Sequence, residues 1–168
     1  MIIKLTGIIM IMICSVLAGT AMSLKLSERV KTAELLISLA DEISVQIRFQ
    51  SLTISEIVGN INLNDSYSRL DFIGEITKML KSRYDIHNIW NEAVMKSDIL
   101  CKEEKEILVS MGNMLGTSDI SGQISALELH RKRLERIFSK AVREYEQKGR
   151  MYRSLGVIAG AAAGIMLF

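Results

Sequence analysis

Residues 26–49 read LSERVKTAELLISLADEISVQIRF, and this stretch decides the fold class. Its apolar residues recur every three or four positions, at Leu26, Val30, Ala33, Leu36, Ile37, Ala40, Ile43 and Ile47. That spacing is typical of one buried stripe along an α-helix. It predicts a long amphipathic helix that ends near Phe49.

The sequence that follows keeps the helical spacing. The chain contains no proline, and no segment shows the sustained alternation of strands. A capping-box pattern at Thr53 and Glu56 predicts the start of a second, short helix. Four residues predict the turn that ends it: Asn60, Asn62, Asn64 and Asp65. Further helices are predicted at about 68–83, 86–94, 102–115 and 119–150, which makes the middle of the chain an all-α, compact six-helix bundle.

Two apolar segments flank this bundle. Residues 5–24 carry no charge and would span about 30 Å as a helix, which is the thickness of a hydrocarbon core. Residues 151–168 are shorter and could cross a slightly thinned bilayer. The predicted organisation is a transmembrane helix at 1–24, a cytoplasmic bundle domain at 25–150 and a transmembrane helix at 151–168.

Basic residues indicate the orientation of both segments. They lie on the bundle side, at Lys25, Arg29, Lys31, Lys148, Arg150 and Arg153. The positive-inside rule then places the bundle in the cytoplasm and both termini across the membrane. Lys4 and the small residues 19–21 also fit a cleaved signal peptide. In that alternative the chain is a secreted or membrane-tethered helical binding protein.

Both apolar segments carry small residues at helical spacing. Gly156, Gly160 and Gly164 form a doubled GxxxG, and the first segment has a weaker version in Ser15, Gly19 and Ser23. Small faces let membrane helices approach closely, so these residues are candidates for membrane helix packing. The alternative is that glycine and alanine are simply common in membrane helices.

The chain shows no pattern that predicts catalysis or nucleic-acid binding. Its net charge is +2, and the bases share the middle region with all 19 acids, so no nucleic-acid footprint is present. P-loop, nucleophile-elbow and HExxH motifs are absent. His87 and His130 lack neighbouring ligands and are interpreted as helix-surface residues. We expect a non-enzymatic protein without cofactor or metal; an enzyme would need His130 and Asp119 to converge on a pocket.

The densest basic run lies at residues 130–136 and is interrupted by Glu135. It is either a solvated helix face or a docking strip for an acidic partner surface or lipid headgroups. The candidate partner-binding residues are Arg131, Arg133 and Arg136.

The run EILVSMGNMLGTSDISGQ at 106–123, followed by a long amphipathic helix and YRSLG at 152–156, resembles the stage III sporulation protein AB family. The likeness covers the whole chain. The matching positions are Gly112, Leu115, Gly116, Asp119 and Gln123. We interpret them as structural: a glycine-capped helix end, a helix start at Asp119 and a side chain that ties the turn.

The resemblance implies an integral membrane protein of the outer forespore membrane, made in the mother cell. Its middle domain is similar to the cytoplasmic domains of inner-membrane platform proteins of type II secretion and type IV pilus machines. The implied partners are a cytoplasmic secretion-type ATPase of the same operon, other membrane proteins of the stage III sporulation complex and membrane lipid. The implied function is a platform that couples this ATPase to a secretion-like channel complex.

Overall fold

The computed structural model describes residues 2–50, 52–83, 85–149, 151, 152, 154, 155 and 158, and leaves aside the side chains of 2–6, 8, 9, 11, 12 and 50. This part of the chain contains no strand, so the all-α prediction is confirmed. Its α-helices are α1 (Ile2–Gln50), α2 (Ile54–Leu63), α3 (Asp71–Met79), α4 (Ile86–Lys96), α5 (Lys102–Met114) and α6 (Ile120–Glu144). A 3₁₀ turn at Asp65–Tyr67 precedes α3, and a π-helical turn at Tyr145–Gly149 follows α6.

The chain divides into two compact units. Unit 1 comprises Met1–Lys31 and Ser139–Phe168, and unit 2 comprises Thr32–Phe138. Helices α1 and α6 therefore each contribute to both units. The domain boundaries that follow from the membrane reading, at 24/25 and 150/151, stay a prediction.

Unit 2 is built around one apolar cluster to which all six helices contribute. Its fully buried large side chains are Leu36, Leu39, Ile43, Ile57, Ile61, Leu70, Phe72, Ile73, Ile76, Ile89, Trp90 and Leu108. The predicted stripe of α1 lies largely in this cluster. The prediction differs from the structure at several positions: Leu39 is buried although the stripe omitted it, and Leu26, Val30 and Ile37 are only partly buried.

Trp90 lies at the centre of this cluster. Its ring meets Phe72 edge to face with the centroids 5.9 Å apart. Its Nε1–H donates to the carbonyl oxygen of Leu108 at 2.8 Å, so the one polar atom of the indole is satisfied inside the core. The ring lies directly on Gly112 of α5, where any side chain would overlap its Cδ1 and Nε1 atoms.

The helix starts and ends follow local side-chain chemistry, with corrections at α2, α3 and α6. The capping box is confirmed, since the Thr53 hydroxyl accepts from the amide of Glu56 and the Glu56 carboxylate accepts from the amide of Thr53 at 2.8 Å. The turn predicted from Asn60 begins later, after Leu63, because Asn60 donates to Gln46 at 3.3 Å from within α2.

The third and last helices are also shorter than predicted. The residues before α3 form the 3₁₀ turn, and the buried Leu70 occupies the position before the first helical residue. Helix α3 ends at Met79 rather than near Arg83, and α6 gives way to the π-helical turn after Glu144.

Within the described residues, no helix combines the length and the apolar character that crossing a membrane requires. The backbone of the first predicted segment is helical as part of α1. Most of the second predicted segment lies outside the described residues, and this includes Gly156, Gly160 and Gly164.

Replacing Gly112 by alanine is expected to lower the free energy of unfolding of unit 2 by about 2 kcal/mol, because the new methyl group overlaps the Trp90 ring and the core must shift. The measurement is denaturant unfolding followed by the fluorescence of Trp90, the only tryptophan of the chain.

Gly59 is the matched control for this substitution, since it also lies inside a helix but has no atom within 4 Å of a new Cβ. Gly59→Ala should raise the stability by up to about 1 kcal/mol through helix propensity. Equal effects of the two substitutions would contradict the role assigned to the Trp90–Gly112 contact.

Candidate functional site

The turn between α5 and α6 carries the short motif singled out in the sequence. Gly116 has a φ of 74°, in the left-handed region that glycine enters without strain. A Cβ at this position would also lie 3.0 Å from Cδ1 of Ile54. The residue is therefore held as glycine both by its backbone conformation and by the neighbouring α2.

Gln123 closes this turn with both ends of its side-chain amide. Its Oε1 accepts from the amide of Gly116 at 2.9 Å, and its Nε2 donates to the carbonyl oxygen of Ser118 at 2.8 Å. One side chain thereby satisfies two backbone groups of the turn that lie outside both helices.

Asp119 occupies the position before the first residue of α6. Its Oδ1 accepts from the amide of Gly122 at 3.1 Å, and its carbonyl oxygen accepts from the amide of Gln123 at 3.0 Å. This is the geometry of a helix N-cap. The remaining motif residues face inward: Leu115 is buried, and the carbonyl oxygen of Gly112 lies 2.9 Å from Nδ1 of His87.

An apolar groove lies beside the motif turn. Its volume is about 470 Å³, and its lining includes Leu52, Ile54, Ile86, Gly116 and Ile120. The lining comes from segments that are distant in sequence, so sequence reasoning missed the groove. The side chain of Phe49, at the end of α1, is 75 % exposed.

The three arginines proposed as a docking strip differ in their exposure and in their ion pairs. Nε of Arg131 lies 2.7 Å from Oδ1 of Asp41, and its NH1 lies 2.9 Å from Oε1 of Glu135. The hydrogen bond to Asp41 raises the pKa of the Arg131 guanidinium, which ties α6 to α1 inside unit 2. Arg133 and Arg136 are exposed and make no ion pair with the described part of the chain.

His130 is buried, with only 2 % of its surface exposed, and the prediction of a surface histidine was wrong for it. Its position lies between Leu127 and Leu134 on the inner face of α6, a spacing that could have indicated burial from the sequence. Its Nε2 lies 3.2 Å from the sulfur of Met114. Burial, with a smaller effect from Arg133, lowers the pKa of His130 below its ordinary value of 6.5.

The convergence that an enzyme would need is not seen in the described residues. Asp119 lines an open hollow with Arg48 and Ile124, and His130 does not reach it. No group of three or more His, Cys, Asp or Glu residues is arranged to hold a metal ion within the described part of the chain.

One of the small residues of the first apolar segment, Ser23, lies at a contact between two chain segments of unit 1. Gly19 and Ser23 of α1 are buried, and the hydroxyl of Ser23 lies 3.4 Å from where a Cβ of Gly149 would stand. Ser15 is half-buried. Gly149 was not predicted, although its place seven residues before Gly156 was a usable signal.

Comparison with family models matches residues 4–168 to stage III sporulation protein AB. The chain belongs to the stage III sporulation protein AB family. No curated protein and no solved structure matches it. Family membership supports a role in sporulation. The matched range includes both the motif turn and the two apolar segments of this AB-family chain.

Replacing Gln123 in this AB-family protein tests how the motif turn is closed. Gln123→Glu keeps an acceptor for the Gly116 amide but loses the donor to Ser118, whereas Gln123→Ala loses both. We expect losses of stability of about 1 and about 2 kcal/mol respectively. Hydrogen exchange at the Gly116 amide should accelerate only in the alanine variant, and unchanged exchange there would contradict the assignment.

The buried His130 should make the stability of unit 2 depend on pH. The unfolded chain takes up a proton near pH 6.5 but the folded chain only at lower pH, since its pKa is lowered. The unfolding free energy should therefore be highest above pH 6.5 and fall as the pH drops below it. Denaturant midpoints from pH 8 to 5 measure this, and His130→Gln should flatten the slope; parallel curves for the two proteins would refute it.

Proposed function

We propose that this protein is a non-enzymatic membrane platform of a secretion-like sporulation complex, which couples a cytoplasmic ATPase to the membrane parts of that complex. The proposal rests on the different side chains that the two units bury.

Unit 1 exposes what a water-soluble protein buries. Large apolar side chains of α1 lie on its surface, with Ile13 53 %, Leu17 61 % and Leu24 64 % exposed. The buried residues in the described part of unit 1 are instead small: Gly19, Ser23, Ala141 and Gly149. Small residues at the helix contact and large apolar residues outside are the pattern of helices packed in lipid. This observation carries the proposal of a membrane anchor.

Unit 2 differs in what it buries. Large apolar side chains form its core around Trp90, although Phe49 and Leu63 remain exposed, and many charged side chains lie on its surface. Such a unit suits an aqueous compartment, and the basic residues beside both apolar segments favour the cytoplasm. In a sporulating cell we propose the mother-cell side of the outer forespore membrane.

The proposed docking surface for the ATPase consists of Arg133 and Arg136 on α6. Both side chains are exposed and without carboxylate partners in the described residues, so their charge is open to an acidic partner surface. Arg131 has a different role in this proposal, since its pair with Asp41 joins α6 to α1 and its charge is also shared with Glu135 of the same helix. The doubled GxxxG at Gly156, Gly160 and Gly164 is the proposed contact for other membrane proteins of the complex.

The test is a pull-down of the ATPase of the same operon by the full chain in detergent. The double reversal Arg133→Glu, Arg136→Glu should weaken binding at least about tenfold, because attraction at two contacts becomes repulsion. Raised salt should weaken wild-type binding in the same direction.

Lys81→Glu with Lys102→Glu is the matched control, since these are also exposed bases without ion pairs in the described residues. This control should bind as the wild type does. Equal loss in both double variants would point to a general charge effect, and no binding by the folded wild type would count against the coupling role.

A further inference from the structure

A sharp change from apolar to basic side chains occurs on the exposed face of α1. Leu17, Leu24 and Lys31 are seven residues apart and therefore share one face. The first two are exposed apolar side chains, and the third is an exposed ammonium group. Lys25 follows Leu24 directly and makes no ion pair with the described residues.

The second chain segment of unit 1 shows the same change in the opposite direction. Lys148, Met151, Leu155 and Ile158 follow one another at intervals of three or four residues, and all four are exposed. The stripe begins with a cation and continues with apolar side chains that are 46 %, 50 % and 62 % exposed. Arg143, one and a half turns before Lys148, is exposed and free of ion pairs in the described part of the chain.

The contact between Ser23 and Gly149 brings the two apolar-to-basic transitions of unit 1 side by side. The Ser23 hydroxyl lies 3.4 Å from the Cβ position of Gly149. Ser23 is next to Leu24, where the first stripe ends, and Gly149 is next to Lys148, where the second stripe begins. Unit 1 therefore has an apolar surface that ends on both helices at the same height and is followed by cations.

We propose that Lys25, Lys31, Arg143 and Lys148, which we call the basic collar, bind the phosphate headgroups of anionic phospholipids such as phosphatidylglycerol. The inference rests on the proposed membrane anchor and adds a lipid class to it. The apolar stripes mark the acyl region, and cations within about two helical turns above it lie at headgroup depth. Ammonium and guanidinium groups bind phosphate oxygens through charge-assisted hydrogen bonds.

The existing partners of the collar leave it open to lipid. Lys31 pairs with Glu28 at 3.2 Å and Lys148 with Glu144 at 3.9 Å, both on exposed helix surface, where such pairs contribute little. Acidic residues are few in unit 1, whereas in unit 2 they outnumber the bases. The attraction for an anionic surface is therefore concentrated in the unit that bears the apolar stripes.

The experiment reconstitutes the full chain in vesicles of equal parts phosphatidylglycerol and phosphatidylcholine. After gentle detergent extraction, the lipids retained by the protein are measured by mass spectrometry. The wild type should retain the anionic lipid with an enrichment of roughly fivefold or more, as expected from about 1 kcal/mol or more of attraction. The quadruple variant Lys25→Gln, Lys31→Gln, Arg143→Gln, Lys148→Gln should bring the ratio close to that of the vesicles.

A variant with four lysines of unit 2 changed to glutamine, at Lys78, Lys81, Lys96 and Lys102, removes the same charge and should keep the enrichment. Inorganic phosphate should displace no more lipid than sodium chloride of equal ionic strength. Loss of enrichment in this control, no enrichment in the wild type, or specific displacement by phosphate overturns the collar.

Two further measurements keep the outcomes distinct. Circular dichroism checks that the quadruple variant retains its helices, so that a lost preference is not lost folding. Carbonate washing of the vesicles tests the anchor itself. A chain released by carbonate contradicts the proposed membrane platform, whereas a chain that stays in the vesicles without a lipid preference contradicts the collar alone.

Discussion

The contact between the Trp90 ring and the bare backbone of Gly112 is the constraint on which the rest of unit 2 depends. It lets α4 and α5 approach more closely than any side chain would allow, and it satisfies the indole N–H at the carbonyl of Leu108. The same approach brings His87 to the carbonyl oxygen of Gly112. Because α5 is held at this point, the position of its end and of the turn that follows is determined as well.

From that turn the structure continues to α6 through a second set of local constraints. A left-handed glycine, one glutamine side chain and an N-cap aspartate define the path from α5 into α6. The Arg131–Asp41 pair then joins α6 to α1. The turn between α5 and α6 is thus best understood as the element that orients α6, and the exposed Arg133 and Arg136 owe their position to it.

The two units differ in the side chains that they bury, and this difference underlies the proposed function. Unit 2 buries a core of large apolar side chains, and a buried polar residue such as His130 is the exception. Among the described residues of unit 1 the buried ones are small, and large apolar side chains are exposed. A core of large apolar residues suits water and a small-residue contact suits lipid, and this supports the proposal of one chain with an aqueous domain and a membrane anchor.

The sequence by itself determined the all-α class, the stripe of α1, the capping box at Thr53 and the glycine at the end of α5. These features depend on residues three or four positions apart, whose relation the helical repeat makes readable. The true end of α2 was missed because Asn60 is held by Gln46, fourteen residues away. The hydrogen bond between Asn60 and Gln46 outweighed the local preference of asparagine for a turn.

Only the tertiary structure decided that Arg131 is paired with Asp41, that His130 is buried, and that a groove lies beside the motif turn. Each of these depends on segments far apart in sequence: Asp41 neutralises Arg131 across some ninety residues, and the groove combines the starts of α2, α4 and α6. Charge, burial and shape at a surface are set by what packs beside it. A repeat of three or four residues carries no information about neighbours at that distance.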